Sequence, residues 1–394
     1  MSTTEVFIVS GARTPIGDFG GALKDIPPTA LGAHAAKAAI ARAGIEPTDV
    51  GHTVVGNVIH TEPRDMYISR VAAMEAGVPK EVPALTVNRL CGSGLQAIVN
   101  ATQLLKLDDA RIALAGGAES MSRGGYLMPA ARWGQRMGSA SAVDMMVGVL
   151  TDPFGHGHMG VTAENVSERY QITREDQDAM AVESHKRAAA AIAAGYFKDQ
   201  IAPVEITTRK GTVVFDTDEH VRAEVTPADM TKLRPVFKKD GTVTAGNASG
   251  INDGAGMVIL ATGEAVVEKG LKPMARLVSY GLAGVDPSEM GMGPVPAVKT
   301  ALAKAGLTLD EIDIIESNEA FAAQACAVSR SLGFDPAKVN PNGGAIALGH
   351  PVGASGAILL IKAIYDLQRT GKRYGLITMC IGGGQGIATI VERV

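Results

Sequence analysis

The chain has 394 residues, of which 37 are Lys or Arg and 41 are Asp or Glu, so its formal net charge is −4. This balance argues against a nucleic acid as the main partner, because phosphate binding requires a clustered basic surface. A hydrophobic content of 46% is enough for a large core and excludes a disordered chain. Glycine is the outlier, since its 47 residues are about 12% of the chain against about 7% in an average protein.

The cysteine count limits the possible classes of protein further. Cys91, Cys326 and Cys380 are too few for a disulfide scaffold or for the usual four-ligand zinc site. An odd, low count fits a reducing compartment. Neither a signal-peptide pattern nor a run of roughly 18 apolar residues is found. We therefore expect a cytoplasmic α/β enzyme of two or three domains with no membrane partner.

The first part of the chain predicts alternating strands and helices. In chain order these are a strand at Val6–Ser10, a helix at Leu31–Ala43, strands at Val50–Val58 and Ala84–Val87, a helix over 91–105, and a strand at Arg111–Ala115. The first helix is predicted to end at Gly44, and the last strand at Gly116-Gly117.

Residues 121–240 differ from what precedes them, because they are richer in Met, Arg and charge. A helix is predicted over Arg174–Ala194, with Thr173 and Asp176 forming a capping pattern at its start. The strands of this segment are predicted to be short. We expect an inserted loop domain that lies over the active-site side of the first half and binds the substrate.

The last part of the chain repeats the order of the first. Its predicted elements are a strand at Ala275–Tyr280, a helix at Val298–Ala305, a strand at Ile312–Ile315, a helix over 350–367, and a strand at Tyr374–Met379. This repetition predicts a duplicated, layered α/β fold. One core half would span 1–120 and be completed by about 241–270, and the other would span 271–394.

Cys91 lies on a predicted strand-to-helix turn, within Asn88–Gly94. A sulfur at the start of a helix lies at the positive end of the helix dipole, which favours the thiolate. The small neighbouring residues would let a substrate carbonyl reach the sulfur and nearby backbone N–H groups. A buried structural cysteine is the alternative, and this segment alone leaves both open.

His350 and Cys380 lie in two further glycine-rich segments. His350 is the one titratable residue of Asn342–Gly356, where it could activate a cysteine as a base. The alternative is a capping or core histidine. Cys380 ends a predicted strand before Gly382-Gly383-Gly384 and supplies a second thiol, which could move a carbon-bound proton.

With these motifs the chain resembles the thiolase family over its whole length. The matching segments are Asn88–Gly94, Gly117–Ser122, His158–Gly160, Gly246–Gly254, Asn318–Ala322, Gly343–Gly356 and Cys380–Gly386. The chain is most similar to the bacterial β-ketothiolases of polyhydroxyalkanoate producers. The resemblance implies a layered α/β/α/β/α fold, a homotetramer, and an acetyl-CoA C-acetyltransferase with coenzyme A and acyl-CoA as substrates and no permanently bound cofactor.

The resemblance also implies catalytic roles. Cys91 would take the acyl group as a thioester, His350 would accept its proton, and Cys380 would move the α-proton of the second acyl-CoA. Asn318, through a held water, and His350 would bind the oxygen of the thioester that becomes the enolate. The backbone N–H groups of Cys91 and Gly382 would bind the oxygen of the tetrahedral intermediates.

The coenzyme A contacts follow from the same resemblance. They are Arg222 near the adenine, Ser249 near the pantetheine, and His158, Met159, Ala320 and Phe321 along the acyl and pantetheine tunnel. The alternative for Arg222 is a solvated surface arginine. No metal site is expected at His156 and His158, because carboxylate and thiol ligands at useful spacing are missing.

Two departures from the family pattern concern the acyl site. Ser317 stands where an alanine is usual, and this change is expected to alter a nearby hydrogen bond. Gly155 and Gly157 precede His158, and we expect them to loosen the loop and open the acyl pocket.

Three other functions are possible for a chain of this type. A ketoacyl synthase would carry a second active-site histidine where Asn318 stands, and a hydroxymethylglutaryl-CoA synthase would carry a glutamate in place of Cys380. An inactive acyl-CoA carrier would need only the binding surface. The presence of Asn318 and Cys380 together with Cys91 and His350 favours a thiolase.

Overall fold

A computed structural model describes residues 4–209 and 211–394 of the chain. Its strands are β1 (Val6–Arg13), β2 (Gly17–Asp18), β3 (His52–Gly56), β4 (Ala84–Val87), β5 (Ile112–Ser120), β6 (Tyr126–Leu127), β7 (Val143–Asp144), β8 (Thr151–Asp152), β9 (Gly157–His158), β10 (Val204–Thr208), β11 (Gly211–Phe215), β12 (Asn252–Thr262), β13 (Ala275–Gly284), β14 (Ile314–Ser317), β15 (Tyr374–Ile381) and β16 (Gln385–Arg393).

The helices alternate with these strands. They are α1 (Pro28–Ala43), α2 (Ile68–Glu75), α3 (Ser93–Lys106), α4 (Met145–Val149), α5 (Met159–Arg169), α6 (Arg174–Ala193), α7 (Pro227–Thr231), α8 (Gly263–Lys269), α9 (Pro294–Ala305), α10 (Ala322–Leu332), α11 (Ala345–Leu348) and α12 (Ser355–Thr370). The 3-10 helices are Pro47–Asp49, Pro63–Tyr67, Met121–Arg123, Ala131–Trp133, Pro287–Met292 and Leu309–Glu311.

The main sheet has one wing from each half of the chain. Its strands hydrogen bond in the order β14-β15-β16-β13-β1-β12-β5-β3-β4, and β2 pairs with β12. The wings meet where β1 pairs with β13, over only Phe7↔Arg276 and Ile8↔Ala275. Within each wing, the outer strands run parallel, as in β3–β4 and β14–β15, and the inner pairs are antiparallel.

Helices fill and cover this sheet in layers. Helices α3 and α12 pack on each other and on strands of both wings. Their apolar side chains, including Leu95, Ile98 and Leu360, share one buried cluster with residues of both wings. Helix α1 packs on the outer face of the first wing and α9 on that of the second. The order of layers is therefore α/β/α/β/α, and α12 is buried along most of its length, as expected for a central helix.

Local sequence patterns determine where most of the helices and strands begin or end. Gly44 and Gly306 end their helices in the left-handed conformation, with φ of 68° and 66°. Thr173 and Asp176 form the predicted capping box of α6. The predicted end of β5 at Gly116-Gly117 is wrong, because that strand continues to Ser120. A Cβ on Gly117 would lie 2.1 Å from the carbonyl oxygen of Gly353, so this glycine permits a close approach of backbones rather than a turn.

The segment 121–240 contains short strand pairs and the helices α4 to α7. Polar contacts attach it to the first half. Arg13 forms an ion pair with Asp218, with an N–O distance of 2.7 Å and both side chains fully buried. Arg42 donates to the carbonyl oxygens of Gln200 and Ile201. The division of the chain into two halves and an inserted domain remains a prediction.

Within the described residues, no helix has both the length and the apolar character needed to cross a membrane.

Candidate active site

Three adjoining cavities lead to Cys91. The innermost, of about 50 Å³, is lined by Leu90, Cys91, Val149, Leu150, Met159, Ser249, Met290, Ala320, Phe321, His350, Val352, Cys380 and Gly382. A second cavity of about 330 Å³ contains His158 and shares Ser249, Phe321 and His350 with the first. A third of about 570 Å³ contains Arg222 and shares Ala245 with the second. All the predicted site residues except Asn318 therefore line one path, which these three adjoining cavities form.

The turn between β4 and α3 positions Cys91. Leu90 has a φ of 46°, which is uncommon for a residue other than glycine. The hydroxyl of Ser93 fixes this turn, since it accepts from the Arg89 N–H at 2.8 Å and donates to the Leu90 carbonyl at 2.7 Å. A Cβ at Gly92 would lie 2.5 Å from Cδ1 of Ile381, so a larger residue there would displace that side chain. The sulfur therefore lies at the start of a helix, as the sequence predicts.

Burial affects the pKa of the Cys91 thiol more than its position at the start of a helix does. Burial raises the pKa of its thiol to about 11, while the backbone N–H groups of Gly382 and of Cys91 itself oppose that rise. The expected preference for the thiolate is therefore wrong for the free enzyme, and a base is needed. The same two N–H groups are those that the resemblance assigns to the tetrahedral oxygen, and both approach the sulfur.

His350 is held from two sides in the loop before α12. Its Nδ1 lies 2.6 Å from Oγ of Ser355, and its backbone N–H donates to Oδ1 of Asn252 at 2.9 Å. Its Nε2 lies 3.4 Å from Nδ2 of Asn318. Burial lowers the pKa of His350 to about 4, so the imidazole is neutral near pH 7. A neutral imidazole in this cavity is able to accept a proton.

Asn318 lies beside His350, and Cys380 lines the inner cavity. Asn318 follows β14, and its N–H donates to the carbonyl of Thr378 at 2.9 Å. Its buried Oδ1 has no hydrogen-bond partner among the described residues, so it is available to a water or a substrate group. Cys380, near the end of β15, is 1% exposed. Burial raises the pKa of its thiol strongly, and the neighbouring Cys91 raises it further.

Aromatic rings form one wall of the second cavity. The ring of His158 stacks on Phe237 with centroids 4.7 Å apart, and Phe237 meets Phe321 edge to face at 6.2 Å. Nδ1 of His158 accepts from the N–H of Gly160 at 3.0 Å, and burial lowers the pKa of this histidine. The N–H of Ser249 donates to the carbonyl of Ala320 at 3.0 Å, which brings two predicted contact residues together.

Arg222 lies at the outer end of the path. It is exposed to solvent and lines the third cavity, and its N–H donates to Nδ1 of His185 at 3.1 Å. Arg222 is therefore a surface arginine, as in the alternative prediction, and it also borders the path that leads to Cys91. In the parts of the chain that the structure describes, no group of three or more His, Cys, Asp or Glu side chains could hold a metal ion.

The structure shows the contacts of the residues at the two departures from the family pattern. Gly155 and Gly157 adopt positive φ of 95° and 82°, and the Asp152 carboxylate fixes their loop by accepting the N–H groups of Phe154 and His156. Two hydrogen bonds therefore hold the loop that carries these glycines, and its expected loosening stays a prediction. The Ser317 hydroxyl has no partner within the described chain, and its backbone forms both of the residue's hydrogen bonds with Asn340.

Sequence reasoning missed three residues that support the site. Ser355 and Asn252 hold His350, and Phe237 stacks on His158. Ser355 could have been found, because it is five residues after His350 in the same glycine-rich segment. Asn252 lies within the matching segment Gly246–Gly254, but its residue type alone does not indicate a role. Phe237 lies in none of the matching segments.

Comparison with known proteins identifies the family. The thiolase N-terminal domain matches residues 6–264, and the thiolase C-terminal domain matches residues 271–393. The chain belongs to the thiolase family. It is 64% identical to the beta-ketothiolase BktB of Cupriavidus necator over 100% of both chains. It is 52% identical to an acetyl-CoA acetyltransferase of Syntrophomonas wolfei over 99% of both chains.

Solved structures confirm the thiolase fold. Human mitochondrial 3-ketoacyl-CoA thiolase superposes with a TM-score of 0.98 at 47% identity, over 100% of both chains. A structure of human mitochondrial 3-ketoacyl-CoA thiolase in complex with CoA superposes with a TM-score of 0.97 at 46% identity, over 100% of this chain and 98% of that one. The predicted family and the duplicated layered fold are therefore confirmed. The roles of individual site residues remain predictions.

Proposed function

We propose that this thiolase is an acetyl-CoA C-acetyltransferase, which condenses two acyl-CoA molecules reversibly to a 3-ketoacyl-CoA and coenzyme A. One observation carries the proposal: Cys91, Cys380 and the neutral His350 line one small cavity at the end of a long path. Two thiols and one base match a reaction with one covalent intermediate and one carbon-bound proton to move. The names of its relatives support the same substrate class.

The first half-reaction forms an acyl-enzyme. His350 takes the proton of Cys91, whose sulfur attacks the thioester carbonyl of the first acyl-CoA. The N–H groups of Cys91 and Gly382 bind the resulting oxyanion. The carbon–sulfur bond to coenzyme A then breaks, and the leaving thiolate takes the proton from His350. The acyl group remains on Cys91 as a thioester.

The second half-reaction forms the carbon–carbon bond. His350 takes the proton of the Cys380 thiol, and the resulting thiolate takes an α-proton from the second acyl-CoA. Asn318 and the protonated His350 then bind the enolate oxygen. The α-carbon attacks the acyl carbon on Cys91, whose sulfur leaves as a thiolate and takes the proton from His350. The bond that forms joins the two acyl groups, and the bond that breaks is the acyl–Cys91 thioester. Thiolysis follows the same steps in reverse.

The outer cavities are proposed to hold coenzyme A. Arg222 would contact the adenine nucleotide, Ser249 the pantetheine, and His158 the wall beside it. Met159, Ala320 and Phe321 would border the acyl group and the end of the pantetheine. Support comes from the continuity of the three cavities and from the CoA complex of the human relative. Coenzyme A is a substrate here, and no permanently bound cofactor is proposed.

A cytoplasmic homotetramer is proposed as the state of this enzyme. Exposed apolar side chains support it, because a monomer rarely leaves so many in one stretch of chain; within 126–154 they include Tyr126, Leu127, Trp133, Met137 and Phe154. Strand β4 also lies at an edge of the main sheet, where a second copy can pair with it. Light scattering after size-exclusion chromatography should give four times the mass of one chain.

Thiolysis assays test the proposed reaction. The substrates are acetoacetyl-CoA, 3-ketovaleryl-CoA and 3-ketohexanoyl-CoA, each with coenzyme A. We expect turnover of the first two, severe loss in Cys91→Ser, and retention in the control Cys326→Ser. Mass spectrometry should find one acetyl group on the Cys91 peptide. Unchanged turnover by Cys91→Ser would refute the covalent route, and no thiolysis by the wild type would favour an acyl-CoA carrier.

A further inference from the structure

A buried lysine lies behind the catalytic residues. Nζ of Lys362, on α12, lies 2.7 Å from Oε2 of Glu316 and 2.7 Å from the carbonyl oxygen of Gly343. The side chains of Lys362 and Glu316 are 2% and 0% exposed. Burying an ion pair costs free energy of solvation that its own attraction often fails to recover. The mechanism described above uses neither residue.

The groups that Lys362 joins belong to three catalytic segments. Glu316 is in β14, two residues before Asn318. Gly343 opens the segment that leads to His350, and Lys362 is on the helix that begins with Ser355. A small cavity of about 10 Å³ is lined by Asn318, Ser355 and Lys362 among others, so these side chains are neighbours.

A second buried carboxylate lies on the other side of Asn318. Glu319 accepts hydrogen bonds from Nδ2 of Asn340 at 2.8 Å, the Ser184 hydroxyl at 2.7 Å and the N–H of Ile346 at 3.2 Å. Ile346 belongs to the same segment before His350. One buried acid therefore precedes Asn318 in the sequence and another follows it. Glu319 contacts the segment before His350 directly, and Glu316 is connected to it through Lys362.

We infer that Lys362 is a positioning residue for the enolate half of the reaction, where its ammonium group joins Glu316 to Gly343 and so fixes the placement of Asn318 relative to His350. The inference rests on the proposed function. His350 has independent supports in Ser355 and Asn252. Loss of the lysine should therefore displace Asn318 more than His350, and should impair enolate formation more than acylation of Cys91.

Two partial reactions separate these effects. Transfer of the acetyl group from acetyl-CoA to isotope-labelled coenzyme A reports acylation of Cys91. Exchange of the acetyl methyl protons with D₂O, followed by NMR, reports enolate formation. Lys362→Met should lower methyl exchange by roughly 100-fold, because small displacements at a reacting centre have effects of that order. Acetyl transfer should be largely retained.

A double variant distinguishes positioning from stability. Glu316→Leu with Lys362→Met removes both buried charges, so it should recover most of the melting temperature that Lys362→Met loses. It still lacks the bond to Gly343, so methyl exchange should stay low. Arg13→Met is the matched control, because it breaks the fully buried pair with Asp218 elsewhere in the chain. It should lower the melting temperature and leave the ratio of the two partial reactions unchanged.

These experiments distinguish a failure of the positioning role from a failure of the proposed function. Recovery of methyl exchange together with stability in the double variant would overturn the inference, as would a parallel fall of both partial reactions in Lys362→Met. Wild-type protein that shows neither partial reaction nor thiolysis would refute the proposed function itself. Selective loss of methyl exchange in both variants would support a positioning role.

Discussion

The Nδ1 atom of His350 lies 2.6 Å from the Ser355 hydroxyl, whose oxygen in turn lies 2.9 Å from the carbonyl of Pro351. A hydroxyl has one proton to donate, and the carbonyl can only accept. The Ser355 proton therefore goes to Pro351, and the hydroxyl oxygen accepts from an N–H at Nδ1. This assignment leaves the lone pair of His350 on Nε2, which is the atom nearer to Asn318.

Removing that hydroxyl should reduce catalysis more than stability. In Ser355→Ala, Nδ1 of His350 loses its acceptor, so the tautomer with the lone pair on Nε2 is no longer favoured. We expect kcat for thiolysis to fall about 10-fold or more, since a positioned general base contributes about 10²-fold or more. Ser10→Ala is the control, because Ser10 has a comparable buried bond to the Ala39 carbonyl far from the site. Equal kcat values for both variants would contradict the tautomer assignment.

Acid should destabilise the fold through His350. Its pKa is lowered from 6.5 to about 4, so between these values the unfolded chain binds more protons than the folded one. The stability contributed by the neutral imidazole is complete above pH 6.5 and is lost as pH falls, by about 3 kcal/mol at pH 4. Urea unfolding at several pH values should show that His350→Asn loses less stability than wild type on acidification.

A buried acid with a raised pKa changes the folding stability with pH in the opposite direction to His350. The wild-type pH dependence must therefore be compared with that of a variant. Burial raises the pKa of Glu316 to about 7, so this residue favours the folded state more at low pH. His60→Gln, at an exposed position, is the control and should follow the wild-type pH dependence. A His350→Asn profile parallel to that of wild type would refute the assignment.

Glu119 should not tolerate an amide. Its four hydrogen-bond partners all donate: the N–H groups of Val58, Ile59 and Gly353 and the side-chain amide of Asn57. Glu119→Gln would point an NH₂ group at buried donors, so we expect a loss of about 1–3 kcal/mol in the free energy of unfolding. Glu75→Gln, which breaks an exposed pair with Arg64, should change it far less. Equal denaturation midpoints for these variants would contradict the argument.

A single methyl group at Gly117 should disrupt the contact between the two halves. Its Cβ would lie 2.1 Å from the Gly353 carbonyl oxygen, a backbone atom that cannot rotate away. We expect Gly117→Ala to lose about 1–3 kcal/mol of stability, measured by urea unfolding or as loss of soluble protein. Gly125→Ala is the matched control, because nothing lies within 4 Å of a Cβ at that position. Normal stability of Gly117→Ala would show that the backbones can separate.

Phe237 should affect substrate affinity rather than the chemical step. Phe237→Ala removes the rings' contacts with His158 and Phe321 from the wall of the second cavity. We expect KM for acetoacetyl-CoA to rise about 10-fold, from the usual contribution of aromatic pairs, with little change in kcat. Phe19→Ala, which removes a 57% exposed ring, should leave both constants unchanged. A fall in kcat alone would refute this role.

Sequence alone predicted the elements whose signals are local. The turn at Cys91 and the caps of α1, α6 and α9 depend on residues within a few positions of one another, so the printed sequence shows them directly. The repetition of strand and helix order predicted the layered fold because each half carries its own pattern.

What the sequence did not predict depends on distant contacts. The end of β5 was misplaced because Gly117 meets Gly353, more than 200 residues away. The pKa of Cys91 was expected to be low because the helix start is visible in sequence, whereas burial is a property of the whole fold. Lys362 and Glu316 lie in apolar runs, and neither run shows that the two charges meet.

Helices α3 and α12 pack on each other at the centre of the fold, and Cys91 and Val352, which line the catalytic cavity, lie two and three residues before the first residue of each. Their peptide dipoles are set by the fold before any substrate arrives. A field that is permanently in place lowers the barrier equally for making and for cleaving the carbon–carbon bond. The enzyme therefore catalyses both directions, and the concentrations of acetyl-CoA, 3-ketoacyl-CoA and free coenzyme A decide which direction is followed.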